Sequence, residues 1–204
     1  MLNGNYVKQG VAAISLAILF PIYWGSLIGT SGSDIMTALR SDMSSLGWMD
    51  ALFLIIGAIE IYIYLSLINI FSGQLNTLAK RMSLYIMLAT IALIHATVLV
   101  DVYLAINGSS FTETMINRVI ETSLYFSLGA VMVYTLAGIV LSIFLLTNSQ
   151  KTNGLLKGFA LTLLIVCILQ LTVFLAFVNI ILFPLALVIL SVYFLKEPDS
   201  VEVV

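Results

Sequence analysis

Long apolar runs, separated by short polar segments, dominate the pattern of this chain. Five such runs cover residues 10–29, 51–71, 84–106, 123–146 and 158–195. The first four are close to the roughly 20 residues that a helix needs to cross about 30 Å of hydrocarbon. Because backbone groups in lipid must hydrogen-bond within their own segment, each run predicts a helix.

The fifth run is too long for one membrane-spanning helix. Its 38 residues would reach about 57 Å as a helix, nearly twice the hydrocarbon thickness. We therefore expect two spans, at 158–178 and 180–195, with the reversal near Asn179. Pro184 follows and weakens the helix there. The pattern thus predicts an all-α integral membrane protein with six transmembrane helices in one bundle, a single transmembrane domain over residues 1–204.

Two of the polar segments carry a weaker helical pattern. Apolar residues recur at helical spacing in both: Ile35, Leu39, Met43 and Leu46 in 33–47, and Phe111, Met115 and Val119 in 109–121. Ser110 and Glu113 also have the spacing of a capping box. We expect two short amphipathic helices in the outer loops, lying on the membrane interface or covering the mouth of the bundle. Simple connectors anchored by a few apolar residues are the alternative.

Composition places the chain in a membrane. Apolar residues make up 61% of the sequence and charged residues 9%, whereas a soluble domain has roughly 25% charged residues. A water-soluble globular protein is therefore excluded, and the single cysteine excludes a disulfide scaffold. The net charge is −2 and basic residues form no cluster, so we expect the lipid bilayer as a partner and no nucleic acid.

The distribution of Lys and Arg predicts the orientation. With six spans and a cytoplasmic N-terminus, the inner side holds Lys8, Lys80, Arg81, Lys151, Lys157 and Lys196, and the outer side holds Arg40 and Arg118. Six against two satisfies the positive-inside rule, whereas five spans would give five against three. We expect a plasma membrane location, in a bacterial inner membrane, with the N- and C-termini cytoplasmic.

Polar side chains recur near the middle of four predicted spans. Glu60, His95, Tyr134 and Gln170 lie close to the centres of their runs, and Gly57 shares a helical face with Glu60. An ionisable group at membrane depth is costly, so it should face the protein interior. The sequence therefore predicts a cluster at the membrane midplane, with Gly57 letting a neighbour approach the Glu60 carboxyl.

Asp101 lies apart from this midplane cluster. It follows His95 by six residues, which places it about 9 Å nearer the outside and on a different helical face. As a fifth candidate for a ligand or proton site, it would line an outer vestibule. The alternative is that its side chain extends to, or pairs at, the outer interface.

The midplane cluster has three interpretations. Glu60 can be a protonated group that hydrogen-bonds neighbouring helices together, it can belong to a proton- or cation-linked site beside His95, or the cluster can line a small-molecule pocket. Two function classes follow. One is a small transporter, channel or substrate-binding membrane subunit; the other is a non-catalytic integral subunit or interaction protein of a larger complex. A homo-oligomer or a partner membrane subunit fits either class.

Motifs for catalysis or cofactor binding do not occur in the sequence. One His cannot supply bis-histidine haem ligation, and Glu60, His95, Asp101 and Cys167 are too scattered for a metal site. No nucleophile motif or phosphate-binding loop is present, so we expect no enzyme, cofactor or metal. Discontinuous transporter helices are marked by paired Gly or Pro interruptions, and Pro21 and Pro184 are not clearly paired.

Overall fold

All regular structure is helical in the part of the chain that the computed structural model describes, residues 6–31, 42–43, 46–74, 78–147, 154–172 and 175–196. The seven helices discussed below are α1 (Val7–Ser31), α2 (Trp48–Gln74), α3 (Leu78–His95), α4 (Val98–Asn107), α5 (Glu113–Thr147), α6 (Gly154–Leu171) and α7 (Asn179–Leu195). They form six segments that are long and apolar enough to cross a membrane. The prediction of six such segments is confirmed.

The six segments form a closed ring. Each one contacts its neighbour along the chain, and α7 returns to pack against α1. Near the start of α1, the Ser191 hydroxyl donates a 2.7 Å hydrogen bond to the Gly10 carbonyl, and a methyl group at Gly10 would lie 2.7 Å from Leu195 Cγ. This close approach of α1 and α7 completes the ring and leaves one shared interior.

The third span differs from its prediction as one continuous helix over 84–106. It runs from Leu78 to Ser110 but is interrupted after His95, where α3 ends. The Thr97 amide donates to the Ile94 carbonyl, three residues back, at 3.2 Å, and the Thr97 hydroxyl donates to the same carbonyl at 2.6 Å. Hydrogen bonding by Thr97 therefore tightens the backbone here and separates α3 from α4.

The reversal between the last two spans comes earlier than expected. Helix α6 ends at Leu171, a 3₁₀ turn covers Ala176–Val178, and Asn179 is the first residue of α7. The predicted span 158–178 is therefore wrong at its end. Asn179 holds the reversal together, because its side-chain nitrogen donates to the Val166 carbonyl at 3.0 Å and to Gln170 Oε1 at 2.9 Å.

The predicted short helix at 109–121 is also wrong, because this segment splits between a turn and a long helix. Gly108–Ser110 is a 3₁₀ turn, and α5 then runs without a break from Glu113 to Thr147. Thr112, not Ser110, caps α5, since its hydroxyl accepts the Met115 amide at 3.4 Å. Most of the other predicted short helix, 33–47, lies outside the described residues.

The two ends of the bundle have different interiors. We call the end that contains the start of α1 and the end of α7 the lower half, and the opposite end the upper half. The largest fully buried side chains lie in the lower half: Leu16, Ile63, Leu67, Phe71, Lys80, Leu84, Met87, Leu141, Leu145, Leu163, Leu190 and Phe194. The upper half instead surrounds a cavity.

Candidate functional site

The cavity lies inside the ring and has a volume of about 180 Å³. Five spans contribute polar or sulfur-bearing side chains to its wall: Glu60, His95, Tyr134, Thr135, Cys167, Gln170 and Asn179. The remaining span, α1, contributes aromatic rings. Four of the five sequence-predicted site residues, Glu60, His95, Tyr134 and Gln170, thus come together around one space, and Asp101 does not.

Glu60 and His95 contact each other directly in the wall of the cavity. The distance between His95 Nε2 and Glu60 Oε2 is 3.2 Å, and both residues are buried, at 8% and 9% exposure. One proton lies in such a contact, either on the imidazole, which then donates to the carboxylate, or on the carboxyl, which then donates to the imidazole. The pair therefore joins α2 to α3 through a group that can gain or lose a proton.

Gly57 explains how the imidazole comes so close to α2. A methyl group at this position would overlap the His95 ring, so only a residue without a side chain lets the ring lie against the helix. The ring also contacts Phe53 of the same helix, with centroids 4.1 Å apart. His95 is thus held between α2 and its own helix break, one turn from Glu60.

Tyr134 and Tyr64 close the lower end of the cavity. Their hydroxyls are 2.5 Å apart and their rings meet edge to face. Tyr134 lines the cavity, whereas Tyr64 lies one helical turn below Glu60, on the side of the packed lower half. This hydrogen bond crosses the interior from α2 to α5 and marks the boundary between the two halves.

Gln170 and Asn179 form the wall on the side of α6 and α7. The Gln170 amide oxygen accepts from Asn179, while Asn179 Oδ1 is buried without a hydrogen-bond partner. His95 Nδ1 is likewise buried without a partner. Unpaired buried polar atoms are rare in folded proteins, and in a cavity wall they are groups that a bound molecule can satisfy.

Asp101 lies near the top of the bundle, beside Asp50. Asp101 is buried, at 6% exposure, so its side chain does not extend to solvent, and the Asp50 carboxyl acts on it electrostatically. Both act electrostatically on the Tyr23 hydroxyl, as does Asp42. Burial raises the pKa of the Asp42 carboxyl, and the charge of Asp50 raises it further.

Aromatic residues make up much of the remaining wall and were missed by the sequence reasoning. They are Phe20, Tyr23, Trp24, Phe53 and Phe183. The Phe20 and Phe183 centroids are 4.8 Å apart, and Tyr23 stacks on Phe53 at 5.4 Å. The available signal was the run of three aromatic residues around Pro21 in the first span, which an aromatic belt at the membrane interface explains equally well.

Among the residues that the structure describes, no three His, Cys, Asp or Glu side chains are grouped in a way that could hold a metal ion. The site offers other chemistry: a carboxyl–imidazole pair, amide groups and aromatic faces. Such a wall can bind a small molecule and exchange a proton at the same place.

Comparison of the chain with protein-family models gave no match, and no curated protein or solved structure matches it significantly. Function is therefore inferred from the chemistry of the cavity.

Proposed function

We propose that this protein is a small membrane transporter, or a substrate-binding membrane subunit, that binds a small molecule in the cavity and takes up or releases a proton at the Glu60–His95 pair. The proposal includes a non-enzymatic role in a bacterial inner membrane, with both termini in the cytoplasm. The upper half then faces outward. The observation that carries the proposal is the direct contact of Glu60 and His95 in the wall of a cavity.

A carboxyl–imidazole pair suits proton exchange at physiological pH. His is the side chain whose charge ordinarily changes between about pH 5 and pH 8, and here it contacts a carboxyl that can hold the shared proton instead. The two groups share one hydrogen bond, so one added proton changes the charge of the cavity wall by one unit. A ligand beside the pair responds to that change, which links its binding to pH.

The helix break after His95 supports a functional site. Non-helical backbone at membrane depth is tolerated where it is buried in protein or lines a cavity, and broken helices in transporters form binding sites near the membrane midplane. Here the break lies next to an imidazole that lines the cavity. A hydrogen bond that only held helices together would need neither the cavity nor the break.

The alternative class, a non-catalytic subunit of a larger complex, predicts a filled interior. The lower half matches that description and the upper half does not. The cavity therefore favours the binding function, and nothing specific in the described residues favours the alternative.

Infrared difference spectroscopy tests the proton-exchange step without knowledge of the ligand. The full chain is reconstituted in lipid and perfused with buffers between about pH 5 and pH 8. We expect a change in the carboxyl or carboxylate stretch that is lost in Glu60→Gln. His95→Gln should alter that signal, because the imidazole is the hydrogen-bond partner of the Glu60 carboxyl.

Glu113→Gln is the matched control, because Glu113 is an exposed carboxyl at the start of α5. It should leave the Glu60 signal unchanged. Circular dichroism and gel filtration establish that each variant is folded. A spectrum without any Glu60-dependent signal in the intact protein contradicts the proposal and leaves Glu60 as a structural contact.

A further inference from the structure

The cavity wall contains one carboxyl group and one group that can become positive. Glu60 supplies a carboxyl, and His95 is the one side chain in the wall that can become positive; no Lys or Arg from the described residues lines the cavity. When the pair holds one proton fewer than its neutral form, the wall carries a net negative charge. A cation is the natural counter-charge beside a buried carboxylate.

Aromatic side chains line the same space. Phe20, Tyr23 and Trp24 approach from α1, Phe53 from α2 and Phe183 from α7. The face of an aromatic ring attracts a cation within about 6 Å of its centroid, and Trp does so most strongly. Rings on several sides, with a carboxylate at the end, are the arrangement that recognises ammonium groups with apolar substituents.

The upper mouth is acidic as well. Asp42, Asp50 and Asp101 all act electrostatically on Tyr23, which itself lines the cavity. One carboxyl oxygen of Asp101 is buried without a hydrogen-bond partner. Ionised carboxyls at the mouth raise the local concentration of cations and repel anions, so their position agrees with the charge of the cavity wall.

We infer that the cavity binds a small organic cation, a protonated amine or a quaternary ammonium with apolar substituents, in exchange for a proton of the Glu60–His95 pair. This inference names the ligand class of the proposed function and rests on it. The cation enters past the carboxyls at the mouth, its apolar substituents contact the aromatic rings, and its charge lies near Glu60.

The volume limits the size of this cation. A cavity of about 150 Å³ is enough to bind benzene, so 180 Å³ admits an ammonium group with a few methyl groups or one small ring. Tetramethylammonium fits this limit. Cations with several phenyl groups do not.

The exchange has a definite direction with pH. The titratable groups facing the pair are Tyr23 on α1, Tyr64 on α2, Tyr134 on α5 and Cys167 on α6, while α7 contributes the non-titrating Asn179 and Phe183. Ordinary Tyr and Cys side chains stay neutral below about pH 8, so among the groups that face the pair only the pair itself changes charge. A bound cation favours loss of the proton, and a bound proton therefore weakens cation binding. Affinity should rise as pH increases.

Calorimetric titration of the detergent-purified full chain tests the ligand class. Three probes of similar shape differ in charge: tetramethylammonium, neutral tert-butanol and anionic trimethylacetate. We expect tetramethylammonium to bind at least about tenfold more tightly than the others, a difference of roughly 1.4 kcal/mol. Titrations in buffers of different protonation enthalpy should show proton release on binding.

Variants locate the binding site. Glu60→Gln should weaken tetramethylammonium binding at least about tenfold and abolish the proton release, while Glu113→Gln changes neither. Trp24→Leu keeps an apolar side chain and leaves the pair intact. It should weaken tetramethylammonium binding severalfold without changing the proton release, which keeps the test decisive if Glu60→Gln does not fold.

The outcomes separate the ligand class from the proposed function. Equal binding of tert-butanol and tetramethylammonium, stronger binding of trimethylacetate, or binding that is unaffected by both Glu60→Gln and Trp24→Leu overturns the cation assignment. So does the absence of any binding. In each of these cases the infrared signal of Glu60 decides the proposed function independently: its presence keeps proton exchange at the pair, and its absence removes both conclusions.

Discussion

The lower and upper halves of the bundle are built from the same helices but have opposite interiors. Below the Tyr64–Tyr134 contact, the interior consists of fully buried side chains, most of them Leu, Ile and Phe. Above it, the helices leave a cavity lined by ionisable, amide and aromatic groups. Helix association in lipid depends on tight packing, so we assign most of the stability to the lower half and the chemistry to the upper half.

The difference also shows how a buried acid is tolerated. Glu60 and His95 contact each other, and each lies within a turn of a local feature that makes the contact possible: Gly57 on α2, which admits the imidazole ring, and the Thr97 break on the third span. An unpaired charge in a tightly packed interior is costly, so the direct contact between these two groups is what makes their burial tolerable. A site of this kind thus needs a loosely filled half and a tightly filled half that supports it.

The largest expected effect comes from creating a cavity in the packed lower half. Leu141→Ala removes a side chain that is 0% exposed and should lower the free energy of unfolding by about 3 kcal/mol, within the range for buried Leu→Ala changes. Ile94→Ala, in the cavity wall, should cost about 1 kcal/mol, because its neighbours already border empty space. Unfolding in detergent measures both. Equal losses would remove the distinction between the halves.

In the upper half, the next prediction concerns Gly57, which lies directly against the His95 ring. Gly57→Ala overlaps the His95 ring, so we expect the Glu60–His95 contact to break, at a cost of about 1–3 kcal/mol. The matched control is Gly25→Ala, since nothing lies within 4 Å of a methyl group there. This change should be neutral or stabilise α1 by up to about 1 kcal/mol. A Gly57→Ala protein that keeps both stability and the Glu60 infrared signal contradicts the geometry.

Loss of the Asn179 side chain tests the wall between α6 and α7. Asn179→Leu removes the hydrogen bonds to Val166 and Gln170, and we expect a loss of about 1–2 kcal/mol in the free energy of unfolding. Asn107→Leu serves as the control, because the Asn107 amide makes its bond to the Tyr103 carbonyl on an exposed surface. Similar losses in both variants would show that the reversal is not held by Asn179.

The smallest effect concerns the acidic mouth. The raised pKa of Asp42 means that the folded protein binds its proton more tightly than the unfolded chain does, so ionisation above the ordinary Asp pKa costs stability. Asp42→Asn removes that cost and should raise the midpoint temperature at neutral pH by less than about 2 °C. The gain should vanish near about pH 3, where both forms are uncharged. A loss of stability at neutral pH would contradict the assignment.

The sequence predicted the number of spans and their approximate positions because apolar length is dictated by the thickness of the bilayer. It also predicted that Glu60 and His95 lie at the same depth in the membrane, because the rise per residue of a helix gives the depth of each position in its span. Depth does not determine direction around the helix axis, however. The contact between these side chains depends on Gly57, which the sequence identified only as a position of close approach.

Other features depend on interactions that a linear pattern does not contain. The break after His95 contains no Gly or Pro that would mark it in the sequence; it is visible only in the Thr97 backbone and hydroxyl bonds to the Ile94 carbonyl. The end of α6 was misplaced because the reversal has no Gly-rich or charged loop to mark it. The side-chain hydrogen bonds of Asn179 hold the reversal instead. The aromatic wall was missed because rings that face a cavity and rings that face lipid have the same composition.

Solvent access along α6 tests the contrast between the halves most directly. The native protein has one cysteine, and Cys167 lines the cavity, whereas Leu163 lies one turn lower in the packed half. The neutral reagent methyl methanethiosulfonate is applied to the wild type and to Cys167→Ala/Leu163→Cys, with each rate normalised to that in SDS. We predict that Cys167 reacts faster by roughly a hundredfold, the effect of about 3 kcal/mol of additional local opening. Equal rates, or a Cys167 that reacts more slowly than the cysteine at position 163, would contradict the account.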